Sequence, residues 1–335
     1  MRILFIGGTR FIGRRTAELA IERGHEVAVF HRGKTDGDLP ANVQHIHGEH
    51  EYLDDFRETF RAFVPDIVVH MLMMEQGDAT RMLRVFRGVS PRVIVISSVD
   101  VYRAFGRVLN TEPGDPDPVP LTENSPLREE SYPYRNQVNK DWRYYYDKLM
   151  VETAALQVHR PASTVLRLPM VYGEYDYQKR IAGYVRRMAD GRSHIFIDER
   201  MANWRAPRGY IDNMAHAVLC LAAEPKTMNR IYHVAEPHTS ARTEVEWVRA
   251  IGAAANWHGE IIPVAAEKLP RGMRFNPRGQ DVVLDSTRLR NEANYAEVVS
   301  FEEGLRRTVA WDVVNTLPQM EPVDYSAEDA LIDAL

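Results

Sequence analysis

Apolar residues in the first half of the chain gather into short, largely β-branched runs: ILFIG at 3–7, EVAVFH at 26–31, VQHIHG at 43–48, DIVVHML at 66–72, RVIVISS at 92–98 and STVLRLP at 163–169. Runs of this length predict strands buried on both faces, as in a parallel sheet. Between them, RRTAELAIERG and DDFRETFRAFV space their apolar residues at helical intervals, as crossover helices on a sheet do. The alternation predicts an α/β protein built on a doubly wound parallel sheet of the Rossmann type. Beyond Gly173 it weakens: helical RIAGYVRRMADG and EVEWVRAIGAAANW are separated by the short strand-like pieces IYHVA and GEIIPV. A smaller C-terminal α/β substrate domain is expected there. The expected division is 1–172 for the dinucleotide-binding domain, 173–317 for a mainly substrate-binding domain with parts returning to the first, and 318–335 for an acidic tail.

The longest interruption, from Arg103 to Trp142, includes NTEPGDPDPVPLTENSP. A loop of that length in a compact domain predicts a lid, a binding loop or disorder. The tail reads as a short amphipathic helix or a frayed, solvating end.

ILFIGGTRFIG sets Gly7, Gly8 and Gly13 directly after a strand and at the opening of a helix, the context a dinucleotide fingerprint requires. Glycines let the backbone approach a pyrophosphate, and a helix N-terminus offers free N–H groups and partial positive charge. The turn Gly7, Gly8, Thr9, Arg10, Phe11, Ile12 and Gly13 is therefore expected to hold the cofactor, although a merely tight turn would look the same. Arg10 stands where a middle glycine is expected, and its planar fork suits phosphate. At the end of the second strand, where an acid would hold a free ribose 2′-hydroxyl, stand His31, Arg32, Gly33 and Lys34. Arg32 and Lys34 would attract a 2′-phosphate, so NADP is expected ahead of NAD; a solvated basic turn would carry the same residues. Glu49, after the third strand, could accept from an adenine amino group or be an ordinary surface acid.

RVIVISS delivers Ser97 and Ser98 to the carboxyl end of a strand, the edge where doubly wound sheets bind ligands. WRYYYDKLMVE contains Tyr144 and Lys148, four apart and so on one face of an expected helix. An adjacent ammonium favours phenolate and lowers a tyrosine pKa from its usual value near 10. Tyr145 and Tyr146 have no lysine four residues on, which selects Tyr144.

Taken together, GGTRFIG, SSVDVY, YYYDK, LRLPMVYGEYD, RGYIDNMAHAV and PRGQDVVLDSTRLR make the chain resemble, over nearly its whole length, an extended and atypical short-chain dehydrogenase/reductase of the NAD-dependent epimerase/dehydratase family. The resemblance implies Ser98 as the substrate-holding hydroxyl, Tyr144 as acid/base, and Lys148 as its electrostatic partner and cofactor-ribose ligand. Met71 and Leu168 join the cofactor contacts it implies. In sugar-nucleotide members, arginines at the places of Arg208 and Arg278 clamp the substrate diphosphate, and an asparagine stands where this chain has Met170. The Met71 to Met74 run also departs from the small residues usual beside the cofactor. Asp100 occupies the place of an acid that some dehydratases use, with Val99 replacing its neighbour, so redox or epimerisation is expected ahead of dehydration.

Composition narrows the partners. At 44% apolar, 335 residues can bury a large core. The charge of −5 sits largely after Arg307, where only acids occur, so no nucleic-acid surface is expected. The lone Cys220 excludes an internal disulfide and fits a reducing, cytoplasmic setting. No signal-peptide pattern opens the chain, and no apolar run reaches the roughly 20 residues that span a bilayer. His45 and His47 share a strand face with Glu49 and His50 nearby, yet the spacing matches no defined zinc pattern, so no metal is expected. Glu75 and Asp78 are acids without a supporting partner. The family suggests a homodimer. The expected activity is oxidation or epimerisation at a hydroxyl or keto carbon of a small molecule, a sugar nucleotide or sugar-like compound. The alternatives are an NADPH-linked reductase of a small carbonyl compound and, from another class, an RNA-binding protein on the same fold.

Overall fold

The computed structural model describes residues 1–35, 39–136 and 141–333. Seven parallel strands form the central sheet: β1 (Arg2–Ile6), β2 (Glu26–His31), β3 (Gln44–His47), β4 (Ile67–His70), β5 (Arg92–Ser98), β6 (Ala162–Leu168) and, much later in the chain, β10 (Ile231–His233). Their spatial order is β10-β6-β5-β4-β1-β2-β3, so the chain reverses direction of growth at β1, and the carboxyl ends of β1 and β4 flank the switch point at which doubly wound sheets bind ligands. The period of two in a strand explains why both faces are apolar: Ile3, Phe5, Val27 and Val29 enter one core, Leu4, Ile6, Ala28 and Phe30 the other.

On the first face lies α1 (Phe11–Glu22). The second face is covered by α2 (Arg57–Phe63) and α3 (Gln76–Phe86). Phe60 is fully buried there, edge-on to Phe30 and close to Phe86. Next come α4 (Arg103–Val108) and α5 (Lys148–Leu156), the latter packed on α3. The smaller part of the molecule pairs β7 (Met170–Tyr172) with β9 (Arg208–Tyr210), and β8 (His194–Asp198) with β11 (Glu260–Val264), beside α6 (Ala182–Ala189) and α7 (Glu199–Ala202). Helix α8 (Ile211–Ala223) returns to the main sheet and packs on α1. IYHVA likewise leaves the smaller part: its β10 extends the main sheet beside β6. Helices α9 (Glu244–Ala254), α10 (Thr287–Ala293), α11 (Phe301–Trp311) and α12 (Ser326–Ile332) complete the chain.

Two expectations change. The described part of the 103–142 segment is a packed connection rather than an open lid: it carries α4, pairs Leu121 with Leu284, and buries Glu112, Asp117, Glu123 and Arg128. Those charges stay inside because they are paired, Arg103 with Asp117 at 2.6 Å and Arg128 with Asp147 at 2.6 Å. The tail is also docked rather than solvating. Glu328 of α12 is buried against Arg187 of α6 at 2.6 Å, which holds the helix down despite its acidity.

Candidate active site

The glycine turn is shaped as its sequence requires. Gly7 has φ +80°, a region that L side chains rarely adopt, and its N–H donates to Phe30 O at 2.9 Å, tying the turn to β2. A Cβ on Gly13 would lie 2.6 Å from Gly7 O, so only glycine lets α1 close onto the turn. Arg10 is the N-cap, and among the described residues no side chain caps α1, which leaves first-turn N–H groups for an anion. Phe11 holds φ +44°, a strained value for a bulky residue, with its ring buried edge-on to Tyr177. Thr9 is buried and its hydroxyl meets that of Thr35 at 2.9 Å. Ile12 packs partly into the core. Arg10 is exposed, 5.5 Å from the Tyr177 ring, on a cleft of about 440 Å³ shared with Tyr175 and Lys179. This donor set fits a pyrophosphate. One neighbour crowds it: a Cβ on Gly7 would lie 2.5 Å from Leu72 Cγ, so Leu72, partly exposed after β4, rests over the turn.

The other expected cofactor residues line the same edge. His31 ends β2 and is buried, while Arg32 and Lys34 beyond it are exposed. Glu49 is exposed after β3. The Met71 N–H donates to Ile6 O at 3.0 Å at the end of β4, and Leu168 pairs in register with Ser98 at the ends of β6 and β5.

The expected catalytic group is only partly assembled. Ser98 Oγ accepts from Asp100 N at 3.2 Å and caps a short 3₁₀ turn over Val99–Val101. Ser97 points elsewhere, donating to Glu152 at 2.6 Å in a buried network with Arg167. Lys148 is buried and donates to the backbone oxygens of Met73 and Ile96. Burial pulls its pKa down to about 8, partly opposed by Asp100 and Asp78.

Tyr144 and Lys148 do not share a helix face, which corrects the helical reading. The Asp147 carboxylate accepts from the Leu149 and Met150 N–H groups, and this cap starts α5 only at Lys148. Arg128 locks the cap in place. Tyr144 instead ends a 3₁₀ turn, Trp142–Tyr144, half-buried with the Arg135 guanidinium 4.9 Å from its ring.

The phenol brought to the site is Tyr146. It is buried, its hydroxyl interacts with Asp100 and Ser98, and its ring lies 5.8 Å from Lys148 Nζ. Burial foremost, then the Asp100 charge, holds its pKa well above 10. Asp100 is itself buried and accepts from the Tyr134 hydroxyl at 3.1 Å. Burial raises its pKa against the pull of Arg128, and its Oδ1 has no hydrogen-bond partner among the described residues. A neutral phenol, a hydroxyl, an ammonium and an under-satisfied carboxyl can together hold an oxygen atom and supply it a proton.

The expected substrate arginines are not preassembled as a clamp. Arg208 pairs with Glu244 at 2.5 Å and lies under Trp247, in register with Met170 on the adjoining strand. Arg278 is exposed on a separate small cleft with Arg107, Asn110 and Glu112. Glu236, which the sequence did not single out, is half-buried just after β10, where it accepts from Tyr172 at 3.3 Å and Arg242 at 3.1 Å. Burial lifts its pKa to about 7. Nothing in the local sequence marks it; only its packing does.

Comparison with known proteins bears on this arrangement. The model of the family described as "NAD dependent epimerase/dehydratase family" matches residues 3–235. The chain is 27% identical over 248 residues to the 2'-dehydrokanamycin reductase of Streptomyces kanamyceticus, a match covering 71% of this chain and 62% of that protein's length. Among solved structures, the UDP-glucose 4-epimerase of Thermotoga maritima, with UDP-glucose, superposes with a TM-score of 0.69 at 19% identity, covering 94% of this chain and 99% of that one. The NAD complex of dTDP-glucose 4,6-dehydratase from Bacillus anthracis gives 0.68 at 17%, covering 94% and 97%. At these identities the structures share the fold.

Proposed function

Since this chain belongs to the NAD-dependent epimerase/dehydratase family, we propose that it is an NAD(P)-dependent oxidoreductase or epimerase that interconverts a hydroxyl and a keto carbon on a sugar or sugar-like substrate. The observation that carries this reading is the convergence of half-buried Ser98 with buried Asp100, Tyr146 and Lys148 at the carboxyl edge of the sheet. The reductase and sugar-nucleotide enzymes among the similar proteins support the substrate class.

Gly7, Gly8 and the uncapped first turn of α1 would hold the pyrophosphate, with Met71 and Leu168 beside the ring end. A bound nicotinamide dinucleotide supplies or accepts the hydride. Arg32 and Lys34, both exposed at the end of β2, favour the 2′-phosphate of NADP, because each would make a charge-assisted contact where an acid would repel it.

Ser98 donates to the substrate oxygen and fixes its position. The Tyr146 hydroxyl, kept neutral by its burial, gives that oxygen its proton as the carbonyl becomes an alcohol. The phenolate left behind is stabilised by the Lys148 ammonium and recovers a proton from solvent. A neutral phenol suits reduction, the direction in which a donor is needed. Arg208, beside Met170, would meet the polar end of the substrate.

A second reading of the proton donor rests on spacing. Tyr144 keeps the four-residue separation from Lys148 that the family uses, and its place at the end of a short turn next to Arg135 lies outside the buried cluster.

The direct test offers keto-sugars, UDP-hexoses and a small aldehyde panel to the purified protein with NADPH or NADH, following nicotinamide absorbance and, by NMR, sugar stereochemistry. Oxidation of NADPH with a keto-sugar supports the reductase; a new epimer without net cofactor loss supports the epimerase. Neither change with any sugar overturns the proposal, and turnover of the aldehydes alone transfers it to a small carbonyl reductase.

A further inference from the structure

We propose that His31, His45 and His47 form a three-imidazole site for a divalent first-row transition ion, zinc in particular. The geometry comes from sheet register. His31 is the last residue of β2 and pairs directly with His47 in parallel β3, while His45 lies opposite Val29, two residues earlier. Residues two apart on a strand share a face, so all three rings rise from the same side of the sheet edge.

One ligand atom from each histidine can be chosen so that all lie within 4.8 Å of one another. His31 Nε2 and His45 Nδ1 are 2.8 Å apart, and the His31 ring centroid is 4.7 Å from that of His47. Tetrahedral zinc at about 2.0–2.1 Å from each nitrogen needs ligand atoms roughly 3.3 Å apart, so small ring rotations convert the cluster into a coordination set. Burial is graded: His31 is buried, His45 half-buried and His47 exposed, which anchors one ligand and leaves a solvent route for the ion and a fourth, water ligand. Three imidazole nitrogen donors suit a borderline ion such as zinc rather than calcium or magnesium. Metallation through His31 Nε2 puts its proton on Nδ1 and gives up the 3.3 Å contact from Gly33 N–H. The alternative is a purely structural trio closing the sheet edge by ring contacts.

The full chain without an affinity tag, stripped by chelation, would be titrated with zinc alone by calorimetry and with cobalt(II) alone by visible spectroscopy. One equivalent per chain and intense tetrahedral cobalt bands are expected. Altering groups behind a metal ligand costs about 10–100-fold in affinity, so removing a ligand should cost at least about 100-fold. His47→Ala and His45→Ala should each show that loss while circular dichroism reports an intact fold. His47 is exposed, so its variant keeps the test valid should His31→Ala fail to fold. Failure to bind one equivalent, or undiminished binding in both folded variants, overturns the proposal. The site is independent of the hydride-transfer reading, because its readouts need neither cofactor nor turnover.

Discussion

At the scale of single residues, the site turns on which phenol meets Ser98. Tyr146→Phe removes the hydroxyl that faces Ser98 and Asp100, and turnover should fall by about 10²- to 10⁴-fold, the usual worth of a general acid. Tyr144→Phe should leave kcat within a few-fold of the parent, and steady-state kinetics on the two variants decides between them. The converse pattern would return the role to the residue chosen by spacing. Lys148 gives a pH prediction. Its folded pKa, about 8 against 10.5 for a free lysine, means that the ammonium dominates below about pH 8. Activity that needs the cation should fall as pH rises through that value, and a kcat/KM profile would show it. For stability the sign is opposite: between about 8 and 10.5 the unfolded chain binds the extra proton, so this group's unfavourable contribution fades as pH rises across that window. The positions of Ser98 at a strand end and Lys148 on a helix were legible in the sequence, because each follows a strong local signal. Which tyrosine lies beside Ser98 was not, because Asp147, held by buried Arg128, starts the helix after all three tyrosines.

At the scale of elements, the strand–turn–helix unit of β1 and α1 leaves its first-turn N–H groups without a side-chain cap, and the segment after β4 lies over the turn. Leu72 rests on Gly7, and the loop that carries it is tied to the start of α3, where Asp78 accepts from the Met74 and Glu75 N–H groups at 2.8 and 3.2 Å. Asp78, an acid without an evident partner in the sequence, is thus a clamp for the loop beside the glycine turn. Leu72→Ala should open the turn and strengthen dinucleotide binding by about tenfold, equivalent to about 1.4 kcal/mol, as measured by fluorescence titration. At the end of β2, Arg32→Glu with Lys34→Glu should weaken NADP far more than NAD; losing charged hydrogen bonds of about 1.5–3 kcal/mol corresponds to roughly 10–100-fold. Equal loss for both cofactors would show that the basic turn is only solvated. The departures at Met71 to Met74 were visible in the sequence, whereas the contact of Leu72 with Gly7 depends on two loops that meet only in the folded sheet.

Over the whole molecule, distant segments close on the sheet. Glu328 reaches Arg187 across 141 residues. Glu328→Ala leaves that guanidinium without its carboxylate partner and should cost about 1–3 kcal/mol, read as a Tm lower by a few degrees with cofactor affinity unchanged. Among the described residues no helix is long and apolar enough to cross a membrane. The sequence by itself determined the strand–helix alternation, the parallel sheet and the glycine turn, because periodicity and φ preference are local and each is written within a few neighbouring residues. It also carried the family resemblance that the comparisons support. Only the tertiary structure decided that IYHVA joins the main sheet, that the proline-rich segment packs as a buried connection, that Tyr146 meets Asp100, and that His31 stands beside His47. Each of these depends on the register between separated segments, which is set by burial and charge pairing in three dimensions and leaves no periodic trace along the chain.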